Sequence, residues 1–426
     1  MSTEKLPLNP ARHTRLHERL LLNPVVGHIA GLLFILAGSQ LFTFGKLFHS
    51  TDPNVINSQI TLIIIYLAYV LFSHKLIRFP GGRSIPYSLS ISLTLMAISV
   101  LAILGFRLGY SRSTLFSGFA LIVIAQAVNF TISRHYRHLK FAWVPFGQPI
   151  PPFTDSNVMI RELTSPDLEQ TRYDGIIVDV DEALDDTWLR FIAKHSSAGL
   201  PIIATKSFIE ALSGKVSLNK LNIHDMDSLH PNMGYQLIKR GMDLLIASAL
   251  LPIILPLGVI LAALIRAESK GPAMFIQVRT GQKNKPFRMY KFRSMRTTTD
   301  DTPRFADADQ HRITRLGQII RKTRLDELPQ FLNVLKGDMS LIGPRPEQPG
   351  FVEKFEEEVP FYSYRHVVKP GITGWAQVRQ GYATSTETTR EKVEHDFYYI
   401  KNLSLWLDLL IIIKTIRTIL TGFGAR

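Results

Sequence analysis

The sequence predicts a membrane protein. An α-helical transmembrane bundle comes first, a Rossmann-like α/β accessory domain second, and a C-terminal region entered through a re-entrant membrane helix last. Three observations carry this expectation. Four apolar runs free of Asp, Glu, Lys and Arg lie within residues 25–133. Short strand-and-helix patterning replaces them after a proline-rich stretch. A fifth apolar run, residues 244–265, has Pro252 and Pro256 near its middle and basic residues on both flanks.

The composition agrees. The chain has 426 residues, 46% of them hydrophobic and only 20% charged, with a net charge of +14. A positive balance fits nucleic acid, an anionic membrane surface or a phosphate-rich substrate. The absence of cysteine excludes disulfides, Cys-ligated zinc, iron–sulfur clusters and thiol catalysis together. The first twenty residues are polar and lack the short apolar core of a signal peptide.

The four runs cover residues 25–45, 55–72, 85–106 and 113–133. Each comes close to the ~17–25 residues that cross a ~30 Å hydrocarbon core. Lys5, Arg12, Arg15, Arg19, Lys75, Arg78, Arg83, Arg134, Arg137 and Lys140 flank one side, against Lys46, Arg107 and Arg112 on the other. That asymmetry puts the N-terminal tail (residues 1–23) and everything after the bundle (24–134) in the cytoplasm. The chain is expected to cross its membrane several times.

Residues 135–157, with "FAWVPFGQPIPPF", read as a Pro-rich linker. In the accessory domain, 158–228, "YDGIIVDV" and "LPIIAT" read as strands, while "DDTWLRFIAKHSSAG" and "KSFIEALSG" read as helices, the first closed by Gly199. This pattern resembles a fragment of a doubly wound sheet without a glycine-rich phosphate loop. Asp179 and Asp181 after the first strand leave a metal-dependent glycosyltransferase open as a rival reading. The unit also offers a surface for homodimerisation.

Residues 229–270 hold the fifth run. Lys239 and Arg240 precede it, and Arg266 and Lys270 follow. Cations at both ends argue that both ends stay cytoplasmic, and an interior proline costs ~3 kcal/mol or forces a kink. The expectation is a helix–break–helix that enters the inner leaflet and returns; a plain fifth span with two kinks is the alternative.

Residues 271–426 hold "GPAMFIQVRTG", "FRMYKFRSMR", "RLDELPQFLNVLKGDMSLIGPRPE", "VKPGITGWAQV" and "EHDFYYIKNLSLWLDLLIIIKTI". In this order, after a proline-broken apolar segment, they resemble the bacterial sugar transferase family, the polyprenyl-phosphate hexose-1-phosphate transferases or monotopic phosphoglycosyl transferases. The four spans and the α/β insert are similar to its larger members. The resemblance implies a mixed α/β catalytic domain. It also implies transfer of sugar 1-phosphate from a UDP-sugar, glucose or galactose by default, to undecaprenyl phosphate with release of UMP, as the first membrane step of exopolysaccharide, capsule or O-antigen synthesis. After "GWAQV" the chain departs from the commoner pattern, reading "RQGYATSTETTREKVEHD".

"TRLDELPQ" places Asp326 and Glu327 in a basic stretch, with Arg321, Lys322 and Arg324 just upstream. Residues 327–336 read as a short helix ended by Gly337, which sets Asp326 at its N-cap. Capping, worth ~1 kcal/mol, is the structural reading. The resemblance assigns the Asp-Glu pair to catalysis, and a carboxylate that attacks phosphorus forms an acyl phosphate. Asp326 is therefore the candidate nucleophile. Glu327 is a candidate metal ligand, orienting group or base. The anionic charge gathered there calls for Mg²⁺, held by Asp326 and Glu327 with substrate phosphate.

Arg345, stiffened between Pro344 and Pro346, is the foremost phosphate-binding candidate, because a guanidinium fork holds two oxygens at once. Lys291, Arg293, Arg279 and Arg321 are further candidates, with anionic lipid heads as their alternative partners. Asp396 and Asp408 sit in family-like blocks, where ion pairing is the alternative role. Leu405, Leu409, Ile412, Ile416 and Leu420 recur at helical spacing beside Trp406, suiting either the core or the membrane interface. A membrane scaffold or transporter remains a rival from another class. A nucleic-acid partner is not expected, because no recognised binding fold signature accompanies the charge.

Overall fold

The computed structural model describes residues 23–46, 51–76, 79–80, 85–136, 138–147, 149–150, 158–169, 171–218, 231, 233–296, 312–380 and 386–421. Of the cations that set the expected orientation, Lys5, Arg12, Arg15, Arg19, Arg78, Arg83 and Arg137 lie outside the described residues. The chain divides into two compact units, Met1–Ser213 and Gly214–Arg426.

The first unit opens with α1 (Pro24–Phe44), α2 (Pro53–Leu76), α3 (Ile85–Gly105) and α4 (Arg112–Tyr136). All four are long and apolar enough to cross a membrane. Each forms because an unbroken apolar run keeps its backbone bonds internal, the condition a bilayer imposes. Asn23 starts α1 by accepting from the Val25 N–H at 2.9 Å. Gly45 ends it in the left-handed region, at φ 66°. The inner face buries Ile35, Leu62, Ile65 and Ile122, whereas Leu33, Phe42, Leu101 and Phe116 point outward. A Cβ at Gly118 would fall 2.2 Å from the Leu62 side chain, so α4 approaches α2 as closely as only glycine permits. The buried polar side chains in these helices are neutral, and the Ser92 hydroxyl donates to Gln126 Oε1 at 2.6 Å.

The accessory sheet follows. It comprises β1 (Leu139–Trp143), β2 (Val158–Glu162), β3 (Gly175–Val178) and β4 (Ile202–Ala204), all parallel in the order β2-β1-β3-β4. Strand β1 lies inside the stretch read from the sequence as a linker. Its "FAW" pairs with β2 and β3, so it is an interior strand masked by the prolines that follow it. Helix α5 (Asp186–Ser197) runs between β3 and β4, capped by Asp185, whose carboxylate accepts from the Trp188 N–H at 2.9 Å. It closes near Gly199 at φ 87°, as its sequence predicts, and buries Trp188 and Phe191. Helix α6 (Thr205–Ser213) completes the unit.

The second unit begins with α7 (Met233–Glu268), which carries Pro252 and Pro256 inside one continuous helix. The expected interruption is thus absent from the helix itself. Each proline removes one donor, and the remaining bonds carry the helix through. Both ends of α7 pack on the same unit. Arg240, near its start, donates to the Val334 and Leu335 carbonyls at 2.6 and 3.1 Å. Leu261 and Ile265, near its end, join a core with Phe292 and Ile320. Between these contacts Ile253, Leu255, Val259 and Ile260 are exposed.

The rest of the unit is small and mixed. An antiparallel ribbon, β5 (Met274–Thr280) and β6 (Pro286–Phe292), precedes α8 (Arg315–Lys322) and α9 (Gln330–Lys336). Strand β7 (Ser340–Ile342) pairs in parallel with β8 (Gly371–Thr373), and α10 (Pro349–Glu358) lies between them in sequence. Helices α11 (Trp375–Arg379), α12 (Thr386–Lys401) and α13 (Leu405–Thr421) follow. On α13 the buried face is Leu407, Asp408, Leu410 and Ile411. The stripe read from the sequence points away from it, leaving Leu405 and Ile416 exposed. The side chain of Leu420 lies outside the described residues.

Candidate active site

The site is assembled from the β6 strand, the turn after α8, and the loop after β7. Arg324 adopts a left-handed conformation, φ 59°, which tightens the next residues into a 3₁₀ turn, Leu325–Glu327. Pro329 then occupies the cap position of α9, and Gly337 ends that helix at φ 93°. The helix expected over residues 327–336 therefore starts only at Gln330, and no side chain caps it. Asp326 is placed by a turn and is free of the capping role the sequence suggested. Asn333, fully buried, locks α9 to β6 by accepting from the Tyr290 N–H at 3.1 Å and donating to the Arg288 carbonyl at 2.7 Å. Lys291, one residue beyond Tyr290, is thereby aimed at the turn.

Glu327 is buried, and its Oε1 faces three cations: Arg345 at 3.3 Å, Arg324 at 3.5 Å and Lys291 at 3.7 Å. Burial alone would raise its pKa, but Arg345, Lys291 and Arg324 outweigh it and hold the carboxyl down at about 2. Asp326 behaves oppositely. Burial first, and then the charge of Glu327, push its carboxyl above the ordinary carboxylate range. Its Oδ1 is buried with no hydrogen-bond partner. Burial and Arg345 lower the Lys291 amine, against the pull of Glu327 and Asp326. Adjacent carboxylates thus have different states, one locked as an anion and one left with an unused oxygen.

The Pro344–Arg345–Pro346 loop is held by its carbonyls. The Gly371 N–H donates to Pro344 at 2.9 Å, Arg365 Nη2 to Arg345 at 3.0 Å, and Arg279 Nη1 to Pro346 at 3.1 Å. Arg365 is itself fixed by Asp396, through Nη2 at 2.7 Å and Nε at 3.1 Å, and by the Tyr362 hydroxyl at 2.8 Å. Lys291, Arg345, Arg279 and Gln330 line one small cavity.

Some predicted residues lie elsewhere or do other work. Arg279 also binds Gln277 Oε1 at 2.7 Å and pairs with Glu347 at 3.6 Å, so it braces the loop from behind. Arg293 spends its Nη atoms on the Ser269 and Lys270 carbonyls at 2.7 and 2.8 Å, closing the end of α7. Arg321 has a buried Nη1 without a partner and pairs with neither carboxylate among the described residues. Arg324 contacts Glu327 instead. Asp408 accepts from Lys239 at 2.6 Å and from the Tyr235 hydroxyl at 2.7 Å, tying α13 to α7. In the first unit, Asp179 sits against Gly147, where a Cβ would meet its Oδ2 at 2.4 Å, and accepts from the Asp181 N–H at 3.3 Å. That contact suits a turn former. Sequence reasoning missed Arg365 and Glu347 and named Arg324 only as a basic neighbour of the pair; the Arg in the aromatic "YSYRH" and the Glu directly after the Pro-Arg-Pro were the available signals.

Among the described residues no cluster of three or more His, Asp or Glu side chains is placed to hold a metal. The Asp326–Glu327 pair suits a cation that takes one or two carboxylates and completes its shell with phosphate and water. The orphaned Asp326 Oδ1 is a donor available for such an ion.

The family model described as bacterial sugar transferase matches residues 234–422. The chain is 44% identical over 418 residues to the UDP-N-acetylgalactosamine-undecaprenyl-phosphate N-acetylgalactosaminephosphotransferase of Aeromonas hydrophila, covering 97% of this chain and 99% of the relative. This chain belongs to the bacterial sugar transferase family. The transferase is an enzyme of the phosphotransferase class. It is also 40% identical over 184 residues to the UDP-glucose:undecaprenyl-phosphate glucose-1-phosphate transferase of Escherichia coli (strain K12), covering 42% of this chain and 40% of that relative. A like-named protein of Caulobacter vibrioides (strain ATCC 19089 / CIP 103742 / CB 15) is 40% identical over 199 residues, 46% of the transferase and 74% of the relative. The Aeromonas protein matches the transferase across both units, and the other two across less than half of its length.

Proposed function

We propose that the transferase moves a sugar 1-phosphate from a UDP-sugar to undecaprenyl phosphate and releases UMP, with Asp326 as a covalent relay. The observation that carries this reading is the Asp326 Oδ1, buried and unpartnered beside Lys291, Arg324 and Arg345. A buried acceptor without a partner costs roughly 1–3 kcal/mol, which a purely structural carboxylate would avoid. In the first step a carboxylate oxygen of Asp326 attacks the phosphorus that bears the sugar. The bond from that phosphorus to the bridging oxygen breaks, and UMP departs with the electron pair. In the second step an oxygen of the lipid phosphate attacks the same phosphorus and returns the carboxylate.

Glu327 acts as an orienting group. It holds Arg345, Arg324 and Lys291 around one oxygen until the diphosphate arrives to share them. Arg345 offers the bidentate grip. Asp326 and Glu327 fit Mg²⁺, which when bound would offset the phosphate charge gathered at the site.

The proposed donor is UDP-N-acetylgalactosamine, ahead of the glucose and galactose expected from sequence. The relative matched over 97% of the chain is named for that sugar, whereas the two glucose-named relatives match 42% and 46% of it. The product would be the lipid-linked first sugar of a surface polysaccharide. We place the enzyme in the inner membrane with its N-terminus and second unit cytoplasmic. Helix α7, unbroken over its length, lies along the inner leaflet without crossing it. Its length of roughly 54 Å at 1.5 Å per residue exceeds a ~30 Å core, and its two ends pack on one unit. The Rossmann-like accessory sheet is proposed as the homodimer surface, tested by light scattering of the purified chain.

The test is to incubate membranes with undecaprenyl phosphate and each UDP-sugar and identify the nucleotide released. UMP with UDP-N-acetylgalactosamine supports the proposal, and UDP would move the chemistry to ordinary glycosyl transfer. Hydroxylamine should release labelled sugar 1-phosphate from wild type loaded with labelled donor, leaving a hydroxamate on Asp326, and none from Asp326→Asn. A reporter after residue 270 that proved periplasmic would rule out the proposed path of α7.

A further inference from the structure

One wall of the small cavity beside the carboxylate pair carries a buried amide with no partner. Gln330 is 3% exposed, yet its side chain has no hydrogen-bond partner among the described residues. It lines the cavity with Lys291, Arg345, Arg279, Met289 and Gly371. It stands three residues after Glu327 on α9, the helix that Asn333 locks to β6 at the Tyr290 N–H and the Arg288 carbonyl. Met289 and Lys291 sit on either side of Tyr290 in β6, so Gln330 and Lys291 are held in fixed relation across the cavity. Gly371 closes another side with backbone alone, since a Cβ there would meet the Gly343 N at 2.0 Å.

The cavity measures about 10 Å³, room for one water-sized group. Its polar side chains mainly donate. Lys291 and Arg345 carry donors alone, and Arg279 is spent on the Pro346 carbonyl and on Gln277. A water would bring two further donors to such a wall, whereas an anionic oxygen brings none. Lys291 and Arg345 are also loosely held by their present partner. Arg345 stands 3.3 Å and Lys291 3.7 Å from Glu327 Oε1, beyond the ~2.7–2.9 Å of a tight charge-assisted bond. The same two cations draw the Asp326 carboxyl down against its burial, so they flank that carboxylate as well as the cavity. A phosphorus within reach of Asp326 therefore has both cations beside it.

The geometry points to a seat for one non-bridging oxygen of the transferred phosphate, closed by the Lys291 ammonium, the Arg345 guanidinium and the Gln330 amide N–H. Gln330 is then a catalytic residue, the neutral donor of the three. In the transition state of phosphoryl transfer, charge is spread over the non-bridging oxygens. A donor fixed beforehand at one of them stabilises that state without reorganising. The inference rests on the reading of Asp326 as the relay, and adds to it a third contact that grips the reacting group.

The experiment uses the full chain with undecaprenyl phosphate and UDP-N-acetylgalactosamine in which sulfur replaces one non-bridging oxygen on the sugar-bearing phosphorus. Each diastereomer is assayed separately. Sulfur is larger than oxygen and a weak acceptor, so a seat sized for one oxygen admits it badly. Wild type should turn over one diastereomer about tenfold faster than the other, the worth of one hydrogen bond. Gln330→Ala opens the seat, and the ratio should fall to about twofold. Gln330→Met keeps the volume and loses the donor. It should melt like wild type and lose about 10²-fold in kcat on the unsubstituted donor, with KM changed less than about threefold. Equal rates for the two diastereomers in wild type, or an unchanged ratio in Gln330→Ala, overturn the seat. Wild-type kcat in Gln330→Met overturns the role of the amide. No UMP from any unsubstituted UDP-sugar in wild type sinks instead the relay reading on which the seat rests.

Discussion

Two buried acid clusters in the second unit use the same ingredients and reach different ends. At Asp396, one carboxylate meets one guanidinium: Arg365 and Asp396 are each 1% exposed, and Arg365 also takes the Tyr362 hydroxyl and the Arg345 carbonyl. At Asp326 and Glu327, two carboxylates meet three cations, all three reach Glu327, and one Asp326 oxygen is left with nothing. In the first arrangement every nitrogen of the Arg365 guanidinium has a partner, and so it positions. The second holds an unfilled valence for a hydrogen bond, a metal or a phosphorus, and so it can react. Burial and charge alone do not distinguish them; the count of satisfied atoms does.

The sharpest way to break this comparison is Asp326→Asn. It should fold as wild type and lose at least about 10³-fold in turnover, as nucleophile removals do. Near-normal UMP release would transfer the role elsewhere. Asp396→Asn should do the converse, losing roughly 3–5 kcal/mol of stability because Arg365 is left as an uncompensated buried charge. Arg365→Met combined with Asp396→Leu should recover much of the melting temperature without recovering activity, since the Arg345 carbonyl stays unheld. If Asp396→Asn melts like wild type, the saturated cluster is not structural. Arg345→Lys keeps the charge and removes the fork, and turnover should fall about 10²-fold, measured with UMP release at saturating donor.

The smallest effects are shifts along the pH axis. In the proposed mechanism Asp326 attacks as the anion; burial and then Glu327 raise its pKa, so the acid limb of kcat/KM should lie above the ordinary carboxylate value of 3.8. Glu327→Gln removes the neighbour that raises it, and the limb should move to lower pH. Lys291→Met removes a cation that lowers it, and the limb should move to higher pH. Shifts of the same sign in both variants would show that the pair is not coupled through charge.

Much of the framework was legible in the sequence, for identifiable reasons. Charge-free runs of spanning length become helices because a bilayer leaves the backbone few alternatives. Asp326, Glu327, Lys291 and Arg345 were found, and they come together. Strand β1 was lost among prolines, because local composition outweighed a short apolar run whose partners lie far along the chain. Arg365 was invisible because its importance comes from donating to one carboxylate and one carbonyl, neither of which leaves a spacing rule. The left-handed conformation of Arg324 was unreadable for a similar reason: non-glycine residues adopt that region rarely, and no neighbouring residue marks which one will. Helix α7 shows the limit of proline as punctuation, since flanking packing carried the helix through both.

The proline-flanked arginine has one further implication. Loops that grip phosphate with backbone amides keep much of their hold when side chains change, because the peptide itself supplies the donors. Across Pro344–Arg345–Pro346 only one residue has an N–H at all, and the loop's anchors all fall on its carbonyls. The anion recognition proposed for it is therefore vested in a single replaceable side chain. Such a loop is open to abrupt loss by one codon change and closed to gradual retuning, so variation in donor preference has to accumulate elsewhere on the rim.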